Sequence, residues 1–103
     1  MNLFEQHISG DKPVVVDFFA EWCGPCKMMP PILKQVKETV GDKVTILKMD
    51  VDKNQEYAVK WGIQSIPTLM IFRKGEIVWR KAGVTQAKEI LERLKGVGCE
   101  GNY

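Results

Sequence analysis

A short apolar run that leads into two closely spaced cysteines limits the fold of this chain more than any other feature. The run Val14–Phe19 is apolar except for Asp17, and Cys23 and Cys26 follow it after a few residues. A strand that is apolar almost throughout is typical of a sheet covered by helices on both faces. Because helix-like and strand-like segments alternate along the chain, we predict an α/β or α+β layer fold.

The cysteine pair has the spacing and the neighbours of a redox centre. Two thiols separated by Gly24 and Pro25 can close a small disulfide ring without a large backbone movement. Pro25 suits the start of a helix, because it has no N–H and its φ is already helical. The unpaired N–H groups at such a start favour a nearby anion and lower the pKa of the first thiol. We therefore expect Cys23 to be the reactive thiolate and Cys26 the more sheltered partner.

Length and composition argue against several other classes of protein. The 103 residues suffice for one domain, which we place at residues 1–95, with a loose tail over residues 96–103. The net charge of +2 is scattered, which argues against a nucleic-acid interface. No apolar run is long enough to span a bilayer, so we expect no membrane association. Residues 1–7 lack the basic and apolar regions of a secretory signal, so we expect a cytoplasmic protein.

A metal site is the alternative use of a CxxC pair. A closed zinc site needs more ligands than the two that this pair supplies. The other soft ligands, His7 and Cys99, lie near opposite ends of the chain. We therefore predict no metal and no cofactor, and we interpret Cys99 as a bystander in the tail.

Hydrophobic periodicity predicts the order of helices and strands. The helix from Pro25 carries an apolar stripe that includes Met28, and Pro30 and Pro31 inside it predict a kink. Thr85 is the expected N-cap of the last helix. The predicted helices cover residues 3–9, 25–40, 52–61 and 86–94, and the predicted strands cover residues 14–19, 44–51, 68–72 and 77–81.

Asp17 is a carboxylate in the middle of an apolar strand. Strand alternation is about equally compatible with an edge position facing water and with a buried position. If the side chain is buried, desolvation raises its pKa toward neutrality and makes it a usable proton acceptor beneath Cys26. Lys48, a charged residue inside the second strand, is the obvious partner of Asp17, although a solvated strand face explains Lys48 alone.

The dipeptide Ile66-Pro67 precedes the third strand. The proline either starts an ordinary strand or forms a cis peptide that turns the backbone of Ile66 outward for pairing with an extended peptide. The sequence leaves both alternatives open. We interpret Trp22, directly before the first cysteine, as part of the rim of the site, and Trp61 and Trp79 as packing residues.

Together these residues resemble the thioredoxin family over residues 3–94. The matching segments are residues 16–28, Pro31, residues 48–52, Gly62-Ile63, residues 66–68, Lys74-Gly75 and Gly83. The resemblance implies a central mixed sheet flanked by helices, with the cysteine motif at a strand-to-helix junction. It also implies a monomer that reduces disulfides in other proteins and receives electrons from a thioredoxin reductase.

The resemblance also implies a role for each site residue. Cys23 is the attacking thiolate, Cys26 the resolving thiol, Asp17 the buried base, Lys48 its partner and Pro67 the cis-proline. The substrate groove falls at Trp22, Gly24, Pro25, Ile66, Pro67, Gly83 and Val84.

The chain departs from the family pattern at three places. The family usually has a β-strand before its first helix, and the chain from Met1 has too little length for it. We therefore expect four strands and one exposed strand edge. Phe19 stands where many bacterial members carry a tryptophan. Pro30 is an additional proline directly before Pro31, the proline that matches the family pattern. The tail containing Cys99 extends past the family's last helix.

Two other functions are compatible with the same fold. If the protein were an oxidase or isomerase, its cysteine pair would have a less reducing potential. The Gly-Pro pair and the absence of a signal sequence argue against this function. A binding subunit that uses its surface as a clamp predicts that both cysteines are dispensable. A Cys23→Ser, Cys26→Ser double variant separates the clamp from the enzyme.

Overall fold

A computed structural model describes residues 1–97 of the chain. The helices are α1 (Leu3–Ile8), α2 (Met29–Val40), α3 (Gln55–Lys60) and α4 (Ala87–Gly96), with 3-10 turns at Pro25–Met28 and Gly41–Lys43. The strands are β1 (Val14–Phe19), β2 (Thr45–Asp50), β3 (Thr68–Arg73) and β4 (Glu76–Ala82). The predicted tail, with Cys99, falls almost entirely in residues 98–103, which lie outside the described residues.

The strands form one mixed sheet in the order β2-β1-β3-β4. β1 pairs in parallel with β2, from Val14 opposite Thr45 to Phe19 opposite Asp50, and it pairs antiparallel with β3. β3 and β4 form an antiparallel hairpin. The predicted four-stranded mixed sheet is confirmed. Within residues 1–97, the outer edge of β2 has no neighbouring strand.

Helices cover both faces of the sheet, so β1 is buried on both sides. On one face, Val15 packs with Val36 of α2 and Ile90 of α4. On the other face, Val16 packs in a cluster that includes Tyr57 of α3. The apolar run predicts this burial of β1 on both faces. The packing also fixes the position of the end of β1, where the cysteine motif begins.

The start of α2 differs from the prediction. The segment Pro25–Met28 is a 3-10 turn and the α-helix begins at Met29, so Pro30 and Pro31 lie in its first turn. The N–H groups of a first turn have no partners inside the helix, so prolines there lose no hydrogen bond. The predicted position of the two prolines in the helix interior is therefore wrong. Met28 is 54% exposed, so its predicted place on the buried stripe is also wrong.

Thr85 does not cap α4. The N-cap residue is Gln86, whose side chain makes no capping hydrogen bond. Thr85 is buried, and its hydroxyl donates to the carbonyl oxygen of Gly83 at 3.2 Å. The hydroxyl is therefore used in the turn before the helix, and tertiary packing overrides the local capping preference.

Both tryptophans predicted to pack do so. Trp79 packs partly buried against the α2–α4 core. Trp61 lies with its ring centroid 5.0–6.0 Å from those of Phe4, Phe18, Tyr57 and Phe72. This aromatic cluster joins α1 and α3 to the sheet and anchors the segment that leads from α3 to β3.

Candidate active site

The cysteine motif occupies the junction between β1 and the first 3-10 turn. The N–H of Cys23 donates to the carbonyl oxygen of Ala20 at 3.2 Å and closes the turn that follows the strand. Cys23 and Cys26 form a disulfide with their Cα atoms 5.4 Å apart. Cys23 is 4% exposed and Cys26 is 5% exposed. The sequence prediction that this spacing closes a disulfide ring is confirmed.

Two backbone groups lie close to the sulfur of Cys23. The N–H of Cys26 donates to Sγ of Cys23 at 3.2 Å. The carbonyl oxygen of Ile66 lies 3.7 Å from the same sulfur. When the disulfide opens, the N–H is in place to stabilise negative charge on Cys23, because hydrogen bonds to ionised acceptors are stronger than those to neutral ones.

The segment that faces the cysteines contains a cis peptide bond between Ile66 and Pro67, the second of the two alternatives that the sequence leaves open. Ile66 packs with the cysteine pair, and the carbonyl oxygen of Pro67 accepts from the N–H of Gly83 at 2.8 Å. Gly83 has a φ of 95°, which glycine adopts without strain. Val84 follows and packs against the α2–α4 core. The structure thus brings Ile66 to the cysteines and ties Gly83 to the same segment.

Trp22 lies on the surface beside the motif, 72% exposed. Its indole N–H donates to Oδ2 of Asp52 at 2.7 Å. Trp22, Asp52 and Ile66 line one depression of about 250 Å³. Gly24 and Pro25, between the cysteines, are exposed as well. The predicted rim position of Trp22 agrees with this exposure.

Sequence reasoning missed the contact of Asp52, which it placed at the start of a helix and in a segment matching the family, with no role in the site. One signal was available, because β1 and β2 are parallel neighbours whose carboxyl ends meet at one edge of the sheet. Trp22 and Asp52 each follow one of these ends within a few residues. Residues placed in this way fall close together in open α/β sheets.

Asp17 is fully buried in β1. Within residues 1–97, neither of its carboxylate oxygens has a hydrogen-bond partner. Burial raises the pKa of Asp17 from 3.8 to about 6, and the positive charge of Lys48 opposes part of this rise. Asp17 shares a sheet face with Val15, which packs against α2, the helix that continues the cysteine motif. The buried alternative for Asp17 is therefore confirmed.

Lys48 lies directly across from Asp17 in the parallel register of β1 and β2. Its side chain is exposed, and Nζ lies 4.6 Å from the centroid of the Phe19 ring. Among the described residues, Lys48 makes no ion pair with Asp17. Cys26, Phe19 and Lys48 line one depression of about 250 Å³, so solvent reaches the neighbourhood of Cys26 from this side.

Two negative findings apply to residues 1–97. They contain no group of three or more His, Cys, Asp or Glu side chains placed to hold a metal ion. None of their helices is long and apolar enough to cross a membrane.

Comparison with known proteins gives a consistent result. The family model described as Thioredoxin matches residues 1–96. A thioredoxin of Alicyclobacillus acidocaldarius is 53% identical over 89 residues, which are 86% of this chain and 84% of that protein. A thioredoxin of Bacillus subtilis is 49% identical over 81 residues, which are 79% of this chain and 77% of that protein.

A solved structure has the same architecture. A point variant of thioredoxin from Halobacterium salinarum superposes with a TM-score of 0.85 at 30% identity, covering 97% of this chain and 86% of that chain. Its likeness extends over the sheet and the helices that position the disulfide. The chain therefore belongs to the thioredoxin family of protein disulfide oxidoreductases.

Proposed function

We propose that this chain reduces disulfide bonds in other proteins by dithiol–disulfide exchange, with Cys23 as the attacking thiolate and Cys26 as the resolving thiol. The observation that carries the proposal is the disulfide between these residues at the end of β1, beside the exposed ring of Trp22. The N–H of Cys26 that points to Sγ of Cys23 supports this assignment of roles, because it favours a thiolate at Cys23.

The exchange consists of two displacements at sulfur. The Cys23 thiolate attacks one sulfur of a target disulfide, a mixed disulfide forms, and the other target sulfur leaves as a thiolate. Cys26 then loses its proton and attacks Sγ of Cys23, which releases the second target thiolate and forms the Cys23–Cys26 disulfide. One electron pair passes to the target, and both target thiolates take up protons.

Asp17 is the proposed proton acceptor for Cys26. Its raised pKa of about 6 supports this role, because a carboxylate with a pKa nearer the working pH is a better base than an ordinary aspartate. Lys48 is proposed to tune this base through its charge. The depression that Lys48 and Cys26 share gives solvent access to the neighbourhood of Cys26.

The proposed target-binding surface consists of Trp22, Gly24, Pro25, Ile66, Pro67, Gly83 and Val84. The exposed ring of Trp22 and the depression that Trp22 and Ile66 line support the proposal. Within residues 1–97, the N–H of Ile66 makes no hydrogen bond, so an extended target strand can accept from it.

The proposed electron donor is a thioredoxin reductase, which returns the Cys23–Cys26 disulfide to the dithiol. The cycle requires a compartment that keeps thiols reduced, which supports a cytoplasmic location. We propose that the working form is a monomer, because exchange as described uses groups from one chain.

Two measurements test the function in a Cys99→Ser background, which removes side reactions of the third thiol. The equilibrium potential of the cysteine pair is expected to lie below a glutathione poise of about −240 mV. Cys26→Ser is expected to trap a mixed disulfide with a disulfide-containing test protein, whereas Cys23→Ser is not.

Either of two results would contradict the proposal. A potential at or above that poise assigns the protein to the oxidases or isomerases. Equal trapping by both serine variants removes the distinction between attacking and resolving thiols.

A further inference from the structure

The outer edge of β2 carries backbone groups that the sheet does not use. The N–H of Thr45 donates to the carbonyl oxygen of Pro13 at 3.0 Å, toward β1. Because backbone direction alternates along a strand, the N–H and C=O groups of Ile46 and Lys48 point away from β1. Within residues 1–97, these groups have no hydrogen-bond partner. We name them the open edge.

Side chains cap β2 on either side of the open edge. Before it, Nζ of Lys37 donates to the carbonyl oxygen of Val44 at 2.9 Å. After it, Nδ2 of Asn54 donates to the carbonyl oxygen of Asp50 at 3.0 Å. The unpaired stretch therefore has defined ends and accommodates a short strand segment.

A depression of about 290 Å³ adjoins the open edge on the α2 side of the sheet. Its apolar part comes from Pro30, Leu33 and Ile46, and its charged part comes from Lys34, Lys37 and Lys48. Among the described residues, none of these lysines forms an ion pair with a carboxylate. The surface next to the unpaired strand is thus positive, with an apolar floor.

We propose that an extended acidic segment of another protein adds to the open edge as a further strand. The unpaired N–H and C=O groups supply main-chain hydrogen bonds, and alternate side chains of the added segment face the depression. Acidic side chains there meet Lys34 and Lys48, and apolar ones meet Leu33 and Ile46.

The charge of this surface decides between an acidic partner and a second copy of the chain. Pairing of two open edges would bring the lysines of both copies to the same side of one continuous sheet. Like charges placed together oppose association, whereas acidic side chains on the same surface favour it. The surface shares no lining residue with the depression at Trp22, whereas it shares Pro30 and Lys48 with the depression at Cys26.

The test uses a synthetic peptide of about eight residues, the length of one strand. Every second residue is glutamate or valine in turn, with threonine between them, so that both acidic and apolar side chains lie on the same face of the added strand. It is titrated into the oxidised, isotopically labelled protein while backbone amide resonances and hydrogen exchange are recorded. We expect the amide resonances of Ile46 and Lys48 to shift and their exchange to slow. Lys34→Glu is expected to weaken binding about fivefold, whereas Lys88→Glu on α4 leaves it unchanged.

Two control peptides separate strand addition from simple attraction between charges. A peptide with N-methyl groups on alternate residues keeps its charge but cannot form the main-chain bonds, and it is expected not to bind. A peptide with lysine in place of glutamate is also expected not to bind.

Four results would overturn the proposal. They are equal binding of the methylated peptide, equal binding of the lysine peptide, absence of any shift at Ile46 and Lys48, and concentration-dependent protection of these amides without peptide. The last result would assign the edge to a second copy of the chain.

Discussion

The buried carboxylate of Asp17 should cost stability at neutral pH, and Asp17→Asn should recover it. The pKa of Asp17 rises from 3.8 to about 6 on folding, which corresponds to about 3 kcal/mol. The folded state therefore holds this proton more tightly than the unfolded state does. The resulting stabilisation is complete below about pH 4 and is lost as the pH rises through about 6. A loss of this size is a large share of the net stability of a small domain.

The assay is chemical unfolding of the oxidised protein, followed by tryptophan fluorescence, at several values between pH 4 and pH 8. The free energy of unfolding of the variant minus that of the parent is expected to grow by about 2.5 kcal/mol across this range, because the unfolded state is already partly ionised at pH 4. Any constant effect of the amide cancels in this comparison. Asp42→Asn, which changes an exposed carboxylate, is the control and should show no such growth. A difference between Asp17→Asn and the parent that stays constant with pH would refute the argument from burial.

Two further substitutions test contacts of the site. Asp52→Ala removes the acceptor of the Trp22 indole N–H, so the indole proton resonance should move to the position of a solvated indole. Because this hydrogen bond is exposed, the free energy of unfolding should fall by about 1 kcal/mol or less. An unmoved resonance would contradict the hydrogen bond. Gly83→Ala should lower the free energy of unfolding by about 1–2 kcal/mol, because alanine is strained at a φ of 95° although no atom blocks its Cβ. Gly24→Ala, at a φ of −59° and also in open space, is its control, and equal losses for the two would rule out backbone strain as the cause.

The parts of the fold that local pattern controls could be predicted. The apolar run Val14–Phe19 has one stable solution, a strand covered on both faces, and the structure has it. The start of α2 was harder to predict from the sequence, because Pro25, Pro30 and Pro31 are each typical of a helix N-terminus. A 3-10 turn followed by an α-helix accommodates all three. For Thr85 the local rules gave a wrong prediction. A threonine hydroxyl is a good helix cap, but this one donates to a carbonyl oxygen in the turn before the helix.

The site was predictable where one segment supplies it and less so where separate segments meet. The Cys23–Cys26 ring follows from spacing alone. The bond between Trp22 and Asp52 depends on the parallel alignment of two strands, which no local pattern encodes. The position of Lys48 is similar, because the sequence places a cation near Asp17 but does not specify that its ammonium group lies over an aromatic ring.

The strand order has a consequence for the protein while it is being made. β1 is central, and both of its neighbours, β2 and β3, are synthesised after it. Because a ribosome releases the chain from its N-terminus, the cysteine motif emerges before the strands that pair with β1. Pairing between β1 and β3 must also close a long loop, which is slow compared with formation of the local β3–β4 hairpin. The nascent thiols are therefore open to the surrounding redox buffer, and the compartment rather than the fold sets their first oxidation state.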